Sequence, residues 1–303
     1  MQKIDKYTVP TCDCCGSSQW EYRFSENGFH LGRCSNCGLY YLSEMPTQKR
    51  RPAEVKGNYF TDNRDTIHAS ESKEAELGRR KRFQHFCTLV RKLAPPGKWL
   101  DIGCGTGLLM AVALELSIEI EGVEPISERR ELAAKLTGAT IHERQIELLN
   151  FAPASFAAVI LTDVFSHLNS PATTLSCIHR MLKPCGILLL YTSEIGTGVK
   201  KHHNYSWDLG DHQYYLGDHT IERYAYQIGF KVIHREKKWA PDLLYSRDSL
   251  LVNGRSTLRN IIKKSCVYTP GVLQVLRWYI LKIRNKNNPH YVSTLLLKKI
   301  AGK

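Results

Sequence analysis

The sequence predicts an α/β fold: a mostly parallel sheet wrapped by helices, preceded by a small cysteine-rich module. Two observations carry this expectation. Cys12-x-x-Cys15-Gly16 and Cys34-x-x-Cys37-Gly38 repeat one pattern, with residues 16–33 between the pairs. Further along, an apolar strand from Trp99 to Ile102 runs into Gly103, Gly105 and Gly107 and then into a helical run from Leu108. A chain of 303 residues with 43% hydrophobic content is long enough for one large domain plus a small accessory module.

The cysteines come first in the chain. The N-terminal MQKIDKYTVP is too polar for a signal peptide, and no apolar run reaches the roughly 18 residues of a membrane span. The expectation is a cytoplasmic protein whose thiols stay reduced, so clustered cysteines read as metal ligands. Two intervening residues let both thiolates face one tetrahedral ion, and the following glycine tolerates the backbone twist. Cys12, Cys15, Cys34 and Cys37 are the expected ligands of a structural Zn2+. Cys14 is read as a non-ligand, because only the Cys12/Cys15 pairing reproduces the spacing and glycine of the second pair. QWEYRF and GFHLGRC alternate as short strands would, and LYYLS follows the second pair, so residues 1–50 read as a zinc ribbon. Four thiolates leave no open position, and the chemistry is sought elsewhere.

SEMPTQKRRPAEVKGNY has the polarity and prolines of a linker. From Glu71 to Leu93, apolar residues recur at Leu77, Phe83, Phe86, Leu89, Val90 and Leu93 until Pro95-Pro96-Gly97, which predicts a lead-in helix within a 51–96 connector. Its basic run Arg79-Arg80-Lys81-Arg82 reads as a solvated face, with phosphate attraction as the alternative.

A strand, a glycine turn and a helix N-terminus together make a nucleotide-binding element, because glycines admit close approach and free amides point at the ligand. The spacing is not the dinucleotide G-x-G-x-x-G. Counted from Gly103, the sixth position is Leu108, and Asp101 is foreign to that fingerprint. LDIGCGTG resembles instead the first motif of class I S-adenosylmethionine (SAM)-dependent methyltransferases. The resemblance implies a seven-stranded Rossmann-like sheet over residues 97–303 and SAM as cofactor.

IEIEGVEP is similar to the family's second strand, which ends in a ribose-binding acid, here Glu124. An acid roughly 20 residues past the glycine turn is also where a ribose-binding carboxylate belongs in any such fold. SERRELAAKL follows as a helix with Ser127 as candidate N-cap. ATIHERQIELL resembles the third strand and adenine loop, SFAAVILTDVFSHL the fourth strand, and PATTLSCIHRMLKPCGILLLYTSE the next helix, turn and fifth strand. GFKVIHREKKW and YVSTLLLKKI match the sixth strand and the antiparallel seventh. The cofactor contacts implied are Asp101, Gly103, Gly105, Gly107, Glu124, Gln145, Ile146 and Thr162. Departures fall at Phe156-Ala157, where Phe-Asp is usual, at Gln145, where an acid often meets adenine, and at Lys183-Pro184-Cys185-Gly186 in place of KPGG.

The narrower resemblance is to bacterial methyltransferases that carry a four-cysteine zinc ribbon and act on sugars, nucleotide sugars, lipids or other small metabolites. It implies that YSWDLGDHQYYLGDHTIERYAYQIGF lines the acceptor pocket through Trp207, Tyr214 and Tyr215. Methyl transfer needs mainly in-line alignment and exclusion of water, with a base only where the acceptor starts protonated. His212 and His167, on loops at the C-terminal edge of the sheet, are the candidate catalytic residues. His202 and His203 read as solvated.

The formal net charge is +13, and its excess is local: from Ser249 onward there are eleven Lys or Arg and no Asp or Glu. Residues 249–290 read as a basic amphipathic insertion. Its 270–284 helix, PGVLQVLRWYILKIR, suits either an anionic membrane surface, which would make the protein peripheral to the inner face, or packing on the core. The expected partner is a small-molecule acceptor, and a phosphate on it would suit this charge. An RNA acceptor is disfavoured, because the ribbon carries few basic residues and TDVF, not a base-methylating N-P-P-Y, follows the fourth strand. The glycine turn and Glu124 argue against a non-catalytic assembly protein.

Overall fold

The computed structural model describes residues 5–46, 73–201, 207–239 and 290–300. The basic 270–284 segment and His202 and His203 lie outside these residues. The ribbon holds Lys6–Thr8 (β1), Trp20–Glu26 (β2), Phe29–Cys34 (β3), Tyr40–Leu42 (β4) and Glu44–Pro46 (β5). β2, β3 and β4 form an antiparallel meander, while β1 pairs with β5. β5 falls where a linker was expected. It is a strand because β1 pairs along its edge and Met45 is buried in the core.

Lys73–Arg91 (α1) is the lead-in helix, with Phe86 and Val90 buried on its inner face. The main domain continues through Trp99–Ile102 (β6), Leu108–Glu115 (α2), Ile120–Val123 (β7), Ser127–Thr137 (α3), Ile141–His142 (β8) and Phe156–Thr162 (β9). It ends with Pro171–Met181 (α4), Leu182–Ile195 (β10), Tyr214–Gly217 (β11), Thr220–Ile228 (α5), Phe230–Trp239 (β12) and His290–Lys299 (β13). The strands lie in the order β8-β7-β6-β9-β10-β13-β12, all parallel except β13, which runs antiparallel to both β10 and β12. This is the seven-stranded Rossmann-like sheet that the resemblance implied. β6 and β9 read as unbroken apolar runs because helices cover both faces of a parallel sheet. α1, α2 and α3 pack on one face, and α4, α5 and the ribbon on the other.

Two helix starts show how local chemistry sets the frame. Ser170 caps α4, its Oγ accepting from Thr173 N, with Pro171 at the first helical position. Ser127 does not cap α3. It already lies inside the helix, and its hydroxyl donates to Glu128.

β10 has 14 residues and outruns its neighbour β9. Its first part pairs with β9 up to Tyr191 opposite Thr162; beyond that, Glu194 and Ile195 pair with Leu216 and Gly217 of β11. The other edge of β11 takes β4, with Tyr214 opposite Tyr41 and Tyr215 opposite Tyr40. The ribbon meander is therefore continuous with the main sheet, an arrangement that leaves neither edge of β11 open. The seam is tight: a Cβ on Gly217 would stand 1.9 Å from the Gly38 carbonyl oxygen. Among the described residues, no helix is long and apolar enough to cross a membrane.

Candidate active site

Gly103, Gly105 and Gly107 follow β6 with φ of 70°, 56° and 85°, a region that costs other residues about 1–2 kcal/mol. A Cβ on Gly103 would lie 2.4 Å from Val164 Cγ2, whereas one on Gly105 would meet nothing within 4 Å. Gly103 thus lets the exit of β9 close on the turn, and Gly105 faces open space. α2 begins at Leu108, so its free N–H groups and the positive end of its dipole stand beside that space.

Glu124 directly follows β7 and is buried. Its Oε2 accepts from Gly105 N at 3.0 Å and its Oε1 from Ile126 N at 3.0 Å, so this carboxylate braces the glycine turn while keeping lone pairs for further donors. Asp101 lies inside β6 with almost no exposure; burial, and then the Glu124 charge, push its carboxyl up to about 8. Ile146 is buried at the start of a one-turn helix, and the Gln145 side-chain oxygen accepts from Asn169 Nδ2 at 3.2 Å. Thr162 closes β9. The eight residues expected to hold a cofactor thus gather at the C-terminal ends of β6, β7, β8 and β9.

His167 sits in the one-turn helix Phe165–His167, just past the Val164 that packs on Gly103. Gln213 N donates to Ser166 O at 2.7 Å, which ties the segment after Trp207 to this loop. His212 is thereby brought beside His167, with ring centroids 4.6 Å apart. His167 Nδ1 lies 3.2 Å from the Asp211 carbonyl oxygen and 3.7 Å from its carboxylate, and His212 Nδ1 lies 3.0 Å from the Trp207 carbonyl. Asp211 was not expected from the sequence. Its only signal there was its position next to a candidate histidine.

Trp207, Tyr214 and Tyr215, expected to line the acceptor pocket, pack beside this cluster. All three are buried. Trp207 stacks on His290 at 4.9 Å and tilts against Phe24 at 5.1 Å. The Tyr215 hydroxyl donates to the Trp207 carbonyl, and Tyr214 donates to Asn169 O at 3.3 Å. β11 lies between β4 and β10, so Tyr214 and Tyr215 pack on the two faces of the seam.

The cysteines converge as expected. Gly16 N donates to Cys12 O and Gly38 N to Cys34 O, the same turn twice, with φ of 70° and 82° at the glycines. Cys12 and Cys37 Sγ are 3.5 Å apart and Cys15 and Cys34 Sγ 3.6 Å. These separations are far from a disulfide bond of about 2.05 Å. They approach the edge of about 3.8 Å expected for thiolates on one tetrahedral zinc. One sulfur from each of the four lies within 4.8 Å of the others. Buried Cys14 lies outside that set, and hydrogen bonds from Cys12 and Cys14 hold the Cys37 thiol far below the usual range.

A profile for the family described as a methyltransferase domain matches residues 78–235, the stretch that carries the glycine turn, Glu124 and both histidines. The chain belongs to the methyltransferase-domain family. Among curated proteins, a mitochondrial ubiquinone biosynthesis O-methyltransferase of Rattus norvegicus is 30% identical over 104 residues, covering 31% of this chain and 30% of its own length. Its counterpart in Pseudomonas aeruginosa is 30% identical over 102 residues, covering 31% and 44%. The chain thus spans less than half the length of these relatives. Among solved structures, geranyl diphosphate methyltransferase in complex with SAM superposes with a TM-score of 0.55 at 13% identity, covering 75% of this chain and 88% of that one. A cyclopropane synthase of Mycobacterium tuberculosis gives 0.52 at 16% identity, covering 72% and 83%. These likenesses establish the class I methyltransferase fold.

In this methyltransferase-domain chain the knuckle residue Asp13 ties the ribbon to the site. Its Oδ1 accepts from Ser170 Oγ at 2.6 Å, and its Oδ2 from Ala172 N and Tyr224 OH, both at 2.8 Å. One carboxylate thus holds the start of α4, just after His167, and a residue of α5. Asp13→Ala should cost about 2 kcal/mol in urea unfolding, since it strands partly buried donors, while Asp13→Asn should cost less. Two members of the basic run on α1 make contacts within the chain: Arg82 donates to Tyr191 OH at 2.8 Å and Arg80 pairs with Glu115.

Proposed function

We propose that the chain is a SAM-dependent methyltransferase acting on a hydroxyl of a small-molecule acceptor, of the sugar, nucleotide-sugar or lipid-linked class. The observation that carries this reading is one juxtaposition. A glycine turn braced by Glu124 adjoins, through Val164, the loop that brings His167, Asp211 and His212 together.

SAM, when bound, supplies a methyl group on a sulfonium already activated for displacement. The residues of the chain have the simpler tasks of binding, alignment and water exclusion. Gly105 leaves room for the cofactor, and Glu124 has lone pairs left for ribose hydroxyls. The cluster of His167, Asp211 and His212 ionises the acceptor hydroxyl. Cys12, Cys15, Cys34 and Cys37 would hold a structural Zn2+ that keeps the ribbon folded. The basic segment from Ser249 onward favours an acceptor that carries phosphate.

Asp101 adds a pH dependence. With its carboxyl raised to about 8 it is mostly protonated at pH 7, and the cationic cofactor favours the ionised form. Binding should release up to about one proton, so affinity should rise as pH climbs toward 8. Calorimetry at pH 7 in buffers of different ionisation enthalpy reads the proton count, and Asp101→Asn should abolish it.

The acceptor class is tested with methyl-labelled SAM and a panel of nucleotide sugars, sugar phosphates, prenyl phosphates and bulk RNA. Label in a small acceptor is the expected result. Label captured by RNA and by no small acceptor would overturn the assignment.

A further inference from the structure

Among the described residues, two groups of three or more His, Cys, Asp or Glu side chains converge closely enough to hold an ion. One is the thiolate set of the ribbon. The other is His167, Asp211 and His212, in which one ligating atom from each lies within 4.8 Å of the others and all three residues are half-buried.

The second-layer contacts of this cluster are those a metal site needs. His167 Nδ1 faces the Asp211 carbonyl at 3.2 Å and His212 Nδ1 faces the Trp207 carbonyl at 3.0 Å. A carbonyl only accepts, so each Nδ1 carries the hydrogen and each Nε2 is the lone-pair nitrogen. Metal-bound histidines are oriented in this way, by a backbone carbonyl or carboxylate on the far nitrogen. The loops are clamped as well: Gln213 N donates to Ser166 O at 2.7 Å, and Asp211 N and His212 N both donate to Asp208 O, at 3.1 and 2.9 Å. Charge points the same way. Two imidazoles 4.6 Å apart repel each other when both are protonated beside one carboxylate, whereas two neutral rings and Asp211 match a single divalent cation.

We infer that His167, Asp211 and His212 form a second metal site, for a divalent first-row transition ion, whose open positions take the acceptor oxygen. The inference rests on the methyl transfer proposed above and names how the cluster ionises the acceptor. Two nitrogens and one oxygen suit zinc, manganese, iron or cobalt better than magnesium or calcium. Three protein ligands leave room for substrate, unlike the closed thiolate site. On the ion the acceptor hydroxyl has a lowered pKa and gives its proton to solvent. Its oxygen lone pair then forms the new C–O bond as the C–S bond breaks, and the sulfonium leaves as a neutral thioether.

Tag-free full-length protein, dialysed against zinc or manganese and then against metal-free buffer, is assayed by elemental analysis and by Co2+ titration. Wild type should bind about two equivalents, one with thiolate-to-cobalt charge transfer and one with ligand-field bands alone. His212→Ala and Asp211→Asn should keep the thiolate signal and weaken the second site by at least about tenfold. Wild type that binds one equivalent, or variants that bind two with undiminished affinity, would overturn the second site. SAM titration of the wild type separates this from the parent reading: wild type that binds SAM but only one ion overturns the site alone, and wild type that binds no SAM overturns both.

Discussion

Gly105→Arg should weaken SAM binding by at least about 100-fold, or about 2.8 kcal/mol, while the protein still folds. The turn holds Gly105 at φ 56°, and the space above its Cα is empty to 4 Å. A Cβ there meets no neighbour within 4 Å, and the arginine chain beyond it extends into the volume that the nucleotide needs. The backbone strain of about 1–2 kcal/mol in the left-handed region is within what a domain of this size tolerates. Glu124→Ala should weaken binding comparably by a different route. It removes the carboxylate that holds Gly105 N and Ile126 N as well as the acceptor for ribose hydroxyls. Calorimetry gives the affinities and thermal melts report folding. Undiminished affinity in both variants would contradict the cofactor assignment.

The second large effect is expected at the ribbon. Cys34→Ser combined with Cys37→Ser should abolish zinc binding and unfold residues 5–46, and the damage should spread. Apparent binding free energies for structural zinc are about 10–16 kcal/mol, comparable with the whole stability of a domain. The ribbon is also built into the main sheet: β4 pairs with β11, the Thr220 hydroxyl donates to Cys37 O at 3.0 Å, and the Tyr40 hydroxyl donates to Gly196 O at 3.0 Å. Limited proteolysis should cut the ribbon first, and the melting temperature of the main domain should fall. Elemental analysis that finds zinc retained in the double variant would refute the ligand set.

What the sequence disclosed depended on how local each feature is. The C-x-x-C-G turns, the glycine turn after β6 and the apolar runs of β6, β9 and β10 are set by neighbours in the chain, and each formed where expected. The position of β13 between β10 and β12 came from resemblance, since nothing local places a strand beside a partner roughly a hundred residues away. The pairing of β4 with β11 and the bonds of Asp13 were invisible for the same reason: Asp13 meets Tyr224 across 211 residues. The burial of Trp207, Tyr214 and Tyr215 was equally illegible, because an aromatic stretch looks alike whether it lines a pocket or fills a seam. The pairing of β11 on both edges is what buries the two tyrosines in the seam. Ser127 was displaced as a cap because Glu124 already holds Ile126 N, so the helix begins with its backbone anchored by β7.

The central claim is that the turn of Gly103, Gly105 and Gly107, braced by Glu124, is a SAM site. Calorimetric titration of the wild-type chain with SAM tests it most directly. The expected result is saturable binding of about one equivalent, competed by S-adenosylhomocysteine and lost in Gly105→Arg. A folded, zinc-loaded wild-type protein that binds neither compound would contradict it.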